Sequence, residues 1–252
     1  MKKLLEILRT SNEPWIEIQG LFDSGELKTI CPLLYDLSNT EEGHKNNFMH
    51  TLKVLKNTCD NNYSFEMKVT ALFHDIGKPI TKRKMGNDWA FHNHEIVGAN
   101  MFLKMCKNDN IDINVDYIYR MILHHGRIKM HRDVTESAIR RLNKEVGPDI
   151  IFDVINFSEC DITTRNQSNR ERIVSGLNVI KNRIVEVCEK DEYNSWRSPL
   201  TGHVIMELFD NNIEGRQIGE IKRAYDDILR NEEMTLDEVI SEIKRLYLGL
   251  KI

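Results

Sequence analysis

The sequence predicts an all-α protein in which a helical bundle is followed by a helical C-terminal extension. Apolar residues recur at helical spacing along most of the 252 residues, whereas strand-like alternation is not sustained anywhere. Glycines, prolines and short polar stretches fall between the apolar stripes, where helices are expected to end. These observations favour packed helices over a fold built on a sheet.

The predicted helices follow one another in a simple order. Pro79 is expected to end the helix that carries His74 and Asp75, and Gly126 to lie just beyond a helix that ends at His125. The stretch MGNDWAFHN, Met85 to Asn93, is predicted as an irregular or hairpin-like loop. The apolar stripes that predict these helices are Val69, Leu72, Phe73 and Ile76; Val97, Met101, Phe102 and Met105; Ile118, Met121 and Ile122; and Ile151, Val154, Ile155 and Phe157.

Composition places the chain among ordinary globular proteins. It has 40% hydrophobic and 29% charged residues and a net charge of -4, which argues against a surface coated in basic charge for bulk nucleic-acid binding. Five cysteines without a C-x-x-C pair do not predict a disulfide framework. Glu6 and Arg9 interrupt the apolar start, so neither a secretory signal nor a membrane span is expected. The expected compartment is the cytoplasm.

Seven residues at five places along the chain have side chains that bind metals, and each place lies at the edge of an apolar stripe. A single histidine on an amphipathic helix is usually structural, but five such places in one chain are not explained that way. Neutral imidazole with carboxylate suits zinc, manganese, iron or nickel, and magnesium if carboxylate and water dominate. We therefore predict one or two divalent metal ions held by His50, His74, Asp75, His94, His124, His125 and Asp161.

Seven ligands exceed the need of one tetrahedral zinc, so the count favours two ions with Asp75 between them. Such ions activate water as a nucleophile and hold the attacking and leaving oxygens of a phosphoryl group. Lys78, about one helical turn after Asp75, is a candidate charge for a phosphate oxygen. Arg127 and Arg165 are further candidates for contacts with phosphate.

These residues also carry a family resemblance. HDIGK with an upstream histidine, HEIVGA, HH before a turn and a final aspartate resemble the HD superfamily of metal-dependent phosphohydrolases, from about Phe48 to Arg165. The resemblance implies an all-α HD-domain bundle, the same seven metal ligands and a lysine, Lys78, that contacts phosphate. The HH pair is followed by Gly126 and Arg127, not by the glycine-tyrosine-proline of the cyclic-dinucleotide branch.

The flanks resemble the HD half of bacterial CCA-adding enzymes and poly(A) polymerase-like tRNA nucleotidyltransferases. SPLTGHVIMELF and GRQIGEIKRAYDD resemble the segment after their HD domain, and residues 1–38 resemble their helical lead-in. This division implies a lead-in at 1–38, an HD domain at 39–190 and a helical tail at 191–252. No Gly-Ser turn with paired catalytic aspartates is present, so nucleotide addition is not expected.

The resemblance implies hydrolysis of 2',3'-cyclic phosphate, 2'-phosphate or related ends of RNA or nucleotides, with tRNA as a possible partner. A second hypothesis is a nucleotidase or cyclic mononucleotide phosphodiesterase that acts on free nucleotides. A third is an RNA-binding module in which the metal site is structural. The sequence leaves the metal, the number of ions and the oligomeric state open.

Overall fold

The computed structural model describes residues 1–42, 45–86, 88–107, 111–128 and 134–249. Over these residues the protein is helical except for two short antiparallel hairpins, so the predicted all-α class is confirmed. The chain divides into two compact units, Met1–Val187 and Cys188–Ile252. Within the described residues, no helix is both long and apolar enough to cross a membrane.

The first unit contains the bundle. Its elements are α1 (Lys2–Thr10), α2 (Pro14–Asp23), α3 (Glu26–Ile30), α4 (Pro32–Tyr35), a 3-10 turn (Asp36–Asn39), β1 (Glu41–Glu42), β2 (Lys45–Asn46), α5 (Asn47–Asp60), α6 (Phe65–Phe73), α7 (Lys78–Thr81), β3 (Arg83–Met85), β4 (Asp88–Ala90), α8 (His94–Lys107), α9 (Val115–His124), α10 (Glu136–Val146), α11 (Ile151–Cys160) and most of α12 (Gln167–Ser195). Helices α1 and α2 pack on α6 and α5, so the lead-in shares the core of this unit.

Helices α5 and α6 begin where polar side chains cap them. The Asn46 side chain accepts from the backbone of Phe48 and Met49 and starts α5, and the Ser64 hydroxyl accepts from Met67 and starts α6. The two helices pack on each other, and the apolar face of α5 also packs on α11 while that of α6 packs on α9. Because the first residue of each helix is fixed by its cap, the rotation of α5 and α6 about their axes is fixed as well. This rotation determines the direction in which their polar side chains point.

The prediction that Pro79 ends the helix carrying His74 and Asp75 is wrong. Helix α6 ends at Phe73, and His74 to Gly77 form a turn. Pro79 instead lies in the first turn of the short α7, a position where its missing N–H costs nothing. His74 and Asp75 therefore lie at a helix end, where their side chains are buried but their backbone turns toward α8.

The predicted hairpin-like loop forms part of the second hairpin. Strands β3 and β4 pair in antiparallel register, with Arg83 opposite Ala90 and Lys84 opposite Trp89. The turn passes through Gly86, whose φ of 60° suits glycine. Asn87 lies outside the described residues.

The second unit has a core of its own. After the end of α12 it contains α13 (Gly202–Leu208), α14 (Gly215–Arg230) and α15 (Leu236–Leu248). Thr201 caps α13, and capping boxes start α14 and α15. The buried residues of this unit are Leu200, Ile205, Ile221, Tyr225, Leu229, Val239 and Ile243.

Candidate metal centre

Six of the predicted ligands meet in the interior of the first unit and form the ligand cluster: His50, His74, Asp75, His94, His125 and Asp161. They come from α5, from the turn after α6, from the start of α8 and from the ends of α9 and α11. Residues far apart in the sequence therefore meet because helix ends converge on one point.

The two carboxylate oxygens of Asp75 face different histidines. Its Oδ2 lies 3.2 Å from His74 Nε2 and 3.8 Å from His50 Nε2. Its Oδ1 lies 3.3 Å from His94 Nε2 and 3.8 Å from His125 Nε2. Each oxygen of this carboxylate therefore lies beside imidazole nitrogens, so Asp75 would be a ligand of any metal held here.

Asp161 completes one side of the cluster. Its Oδ1 lies 2.9 Å from His50 Nε2 and 3.6 Å from His74 Nε2. Two groups of potential ligand atoms, each with its atoms within 4.8 Å of one another, result: His50, His74 and Asp161, and His74, Asp75 and His125. On the other side, His94 Nε2 lies 3.3 Å from His125 Nε2.

The imidazole rings are oriented by their Nδ1 atoms. His74 Nδ1 donates to the Ala71 carbonyl at 2.9 Å, and His94 Nδ1 donates to the Phe91 carbonyl at 2.8 Å. His125 Nδ1 donates to the Ile122 carbonyl at 2.7 Å. A carbonyl can only accept, so these bonds place the proton on Nδ1 and leave the Nε2 lone pair for a metal.

Buried polar atoms without a hydrogen-bond partner provide a test of fit to a metal. Among the described residues they include His74 Nε2, Asp75 Oδ2 and Asp161 Oδ1, the atoms that converge. Leaving such atoms unsatisfied is costly unless something charged binds them. One lone pair and two carboxylate oxygens suit a divalent cation, so the residues fit the predicted metal.

The charges of the cluster agree with this reading. Burial alone would lower the pKa of His74, but Asp75 and Asp161 outweigh it and raise this pKa to about 10. Burial would raise the pKa of Asp75, yet the positive charges of His74 and Lys78 hold it well below its usual range. The cluster thus attracts positive charge, and a metal would compete with the His74 proton for it.

The pKa values of two further ligands are both lowered, for different reasons. Burial would raise the pKa of Asp161, but His50 and His74 hold it well below its usual range. Burial and the nearby charge of His74 lower the pKa of His125 to about 4. His125 is therefore neutral near pH 7, which is the state in which it can bind a metal.

Lys78 lies beside the cluster. Its side chain is buried, with Nζ 2.9 Å from Asp75 Oδ2 and 3.5 Å from Asn47 Oδ1. The Phe91 ring centre lies 5.6 Å from the same ammonium. Lys78 also lines a cavity of about 480 Å³ that reaches His94 and Trp89.

The remaining predicted residues lie elsewhere. His124 lines a cavity with Glu95, Arg127 and Glu145, and burial lowers its pKa. Arg127 donates to Glu145 at 2.7 Å, and Arg165 is exposed in the segment after Asp161. Their predicted roles, a metal ligand for His124 and phosphate contacts for the arginines, stay predictions.

The site also contains residues that the sequence did not indicate. Thr163 Oγ1 lies 3.0 Å from His50 Nδ1 and so orients that ring. Asn47 approaches Lys78, and its Nδ2 donates to Thr40 at 2.9 Å. The Phe157 ring packs edge-on against His74, with 5.5 Å between ring centres. Asn47 precedes His50 by one helical turn, a spacing that could have indicated it.

Comparison with known proteins identifies the family. A model of the HD domain matches residues 47–175. Similar curated proteins are each named multifunctional CCA protein. The one from Herminiimonas arsenicoxydans is 26% identical over 156 residues, 56% of this chain and 36% of its own. The one from Hahella chejuensis is 30% identical over 95 residues, 35% and 22% of the two chains.

A third such protein, from Acinetobacter baumannii, is 35% identical over 78 residues, 29% of this chain and 19% of its own. This chain thus spans about a third or less of the length of the relatives it matches. The HD model covers the turn with His74 and Asp75 and all other members of the ligand cluster. The chain therefore belongs to the HD-domain family, which implies a metal-dependent hydrolase.

Proposed function

We propose that this protein is a divalent-metal-dependent phosphohydrolase. The observation that carries the proposal is the convergence of three buried atoms, His74 Nε2, Asp75 Oδ2 and Asp161 Oδ1, in the interior of the first unit. A buried lysine 2.9 Å from Asp75 adds a positive charge beside them. Hydrolysis of a phosphate ester needs side chains that bind metal cations and, beside them, a positive charge that binds the anionic phosphate.

Each side chain has a role in this proposal. The ligand cluster and His124 would hold one or two ions, with Asp75 shared between them. When bound, the metal would supply an activated water and offset charge on the phosphoryl oxygens. Lys78 would bind a phosphoryl oxygen as negative charge develops there, because its Nζ already lies at the edge of the cluster. Arg127 and Arg165 would assist from outside the cluster.

The proposed substrate is a 2',3'-cyclic phosphate, a 2'-phosphate or a related end of RNA or a nucleotide. The support is similarity: the relatives are named multifunctional CCA proteins, and the flanks resemble tRNA nucleotidyltransferases. The cavity beside Lys78, about 480 Å³, falls in the size range of small-molecule sites. Fragments of tRNA are the RNA substrates to try first.

Phosphate release from metal-reconstituted protein tests the proposal. The substrates would be 2',3'-cyclic AMP, 2'-AMP, 3',5'-cyclic AMP, 5'-AMP and a generic aryl phosphate. We expect turnover of the 2' substrates and loss of that turnover in Asp75→Asn, which keeps the side-chain volume but removes the charge. Turnover by the variant at the wild-type rate would contradict the proposal.

The same panel separates the alternatives. Hydrolysis confined to 5'-AMP or 3',5'-cyclic AMP would indicate a nucleotidase or cyclic mononucleotide phosphodiesterase. Bound metal with no turnover of any ester, together with salt-sensitive RNA binding by the metal-free protein, would favour an RNA-binding module. The six members of the ligand cluster favour the enzyme, since a structural zinc site is usually closed by four ligands.

A further inference from the structure

The β3–β4 hairpin places an exposed tryptophan among lysines. Lys84 is the cross-strand partner of Trp89, so both side chains lie on one face of the hairpin. Lys82 continues the same alternation, and its Nζ lies 4.4 Å from the Trp89 ring centre. We call Lys82, Lys84 and Trp89 the Trp89 face.

Acidic charge in the hairpin lies on the opposite side. Asp88 pairs with Met85, and alternation along β4 directs it away from the face that carries Trp89. The Trp89 side chain remains 46% exposed, which is unusual for so large an apolar group. An exposed ring flanked by two cations is the combination that binds unpaired nucleotides, through stacking on the base and attraction to phosphate.

The Trp89 face adjoins the ligand cluster. One cavity is lined by Trp89, Phe91, His94 and Lys78, so a molecule can touch the tryptophan and the edge of the cluster together. Lys78 lies over Phe91 as Lys82 lies over Trp89, with 5.6 Å and 4.4 Å to the ring centres. Cations and aromatic rings thus alternate from the cluster to the hairpin.

We propose that the Trp89 face binds the nucleobase and backbone of a single-stranded RNA end whose terminal phosphate enters the ligand cluster. This inference deepens the proposed function and rests on it for the fate of the phosphate. Trp89 stacks on an unpaired base, and Lys82 and Lys84 contact the phosphodiester backbone. Because stacking needs only the flat surface of a base, the face selects unpaired nucleotides without selecting their sequence.

Binding of a fluorescently labelled hexaadenylate to the metal-free protein of 252 residues tests this, with fluorescence anisotropy as the readout. We expect Trp89→Ala to weaken binding at least about fivefold, the lower end of the loss for one base–aromatic stack. Trp89→Phe should retain most of the affinity. The Lys82→Ala/Lys84→Ala double variant should reduce the dependence of binding on salt concentration.

Trp15→Ala is the matched control, because Lys56 lies 5.0 Å from the centre of the Trp15 ring but neither residue lines the cavity. Circular dichroism checks that every variant is folded. With metal restored, Trp89→Ala should raise KM for 2',3'-cyclic AMP, whereas Trp15→Ala should leave this KM unchanged.

The outcomes separate this inference from the proposed function. Equal hexaadenylate binding by wild type and Trp89→Ala overturns the inference, whatever the turnover. An equal loss in Trp15→Ala also overturns it, because the effect would then not belong to the hairpin. If binding depends on Trp89 but no phosphate ester is hydrolysed, the proposed reaction is wrong and the Trp89 face is supported as a binding surface.

Discussion

The backbone of Gly77 lies directly against the carbonyl oxygen of His94. A Cβ atom on Gly77 would be 2.1 Å from that oxygen and 2.7 Å from the Gly98 nitrogen. The turn that carries Asp75 can therefore touch the first turn of α8 only because residue 77 has no side chain. This contact brings His94 Nε2 to 3.3 Å from Asp75 Oδ1.

Gly77→Ala is expected to separate the turn from α8. We expect a loss of about 3 kcal/mol in the free energy of unfolding, since the clash is with backbone that cannot rotate away. Gly98→Ala should cost less, because its Cβ would be 3.2 Å from the Gly77 nitrogen. Urea denaturation measures both, with metal content determined alongside.

Gly20→Ala is the matched control for this pair. It lies in α2 with nothing within 4 Å of its Cβ position, so alanine should be neutral or stabilise the protein by about 0.5–1 kcal/mol. If Gly77→Ala and Gly20→Ala proved equally stable, the close approach would have no energetic meaning.

His125→Ala and His124→Ala should differ although the residues are neighbours. His125 Nε2 lies 3.3 Å from His94 Nε2 within the ligand cluster, whereas the His124 ring lines the cavity beside Arg127 and Glu145. We expect His125→Ala to lower metal affinity more than about 100-fold, since even groups that only orient a ligand contribute about 10–100-fold. The loss in His124→Ala should be smaller. Isothermal titration with Mn²⁺ measures both, and equal losses would show that His124 contributes to metal binding as much as His125 does.

Lys78→Met should reduce turnover without removing metal. The methionine fills a similar volume but has no charge to offset that of the phosphoryl oxygens, so we expect a loss of about 100-fold in kcat. Lys53→Met is the control, because Lys53 is exposed and donates to the Thr163 carbonyl at 3.1 Å, beside the site but outside it. Loss of metal from Lys78→Met would instead show that the lysine supports the ligands.

The metal-free protein should be most stable near pH 6.5. His74 has a pKa raised to about 10 because of its carboxylate neighbours, so its contribution is complete below the unfolded value of about 6.5 and declines as the pH rises toward 10. His125 has a pKa lowered to about 4 by burial, so stability declines as the pH falls from about 6.5 toward 4.

Urea denaturation in EDTA at pH 5, 6.5 and 8 measures this profile. His74→Gln should lose the decline between pH 6.5 and 8 and keep the decline on the acidic side. A wild-type stability that rises from pH 6.5 to 8 would contradict the assigned charge of His74.

Much of the ligand cluster could be predicted from the sequence, because histidine and aspartate are metal ligands by residue type alone. His74 and Asp75 are rarely adjacent beside an apolar stripe without a reason, and the other ligands occur in matching positions. The all-α class followed from helical periodicity and is confirmed. The pattern does not predict the direction in which each side chain points. Nothing in the His124-His125 pair indicates that only the His125 ring joins the ligand cluster.

The errors have a physical cause. Proline breaks a helix when it lies in the interior, but in the first turn its fixed φ is favourable. Pro79 lies in the first turn of α7. Thr163 and Asn47 act on His50 and Lys78 through contacts formed only after the helices pack. Asn47 could have been indicated by its spacing from His50, but the identity and position of Thr163 do not distinguish it from a surface residue in a single sequence.

The hydrogen bonds that orient His74, His94 and His125 all end on main-chain carbonyls three residues earlier. Side chains at Ala71, Phe91 and Ile122 can therefore be exchanged without altering the acceptor. The hydrogen bond that orients each ring does not depend on which residue supplies the acceptor, because every amino acid has the same main-chain carbonyl. A substitution at such a position therefore keeps the hydrogen-bond acceptor of the ring, whatever its effect on packing.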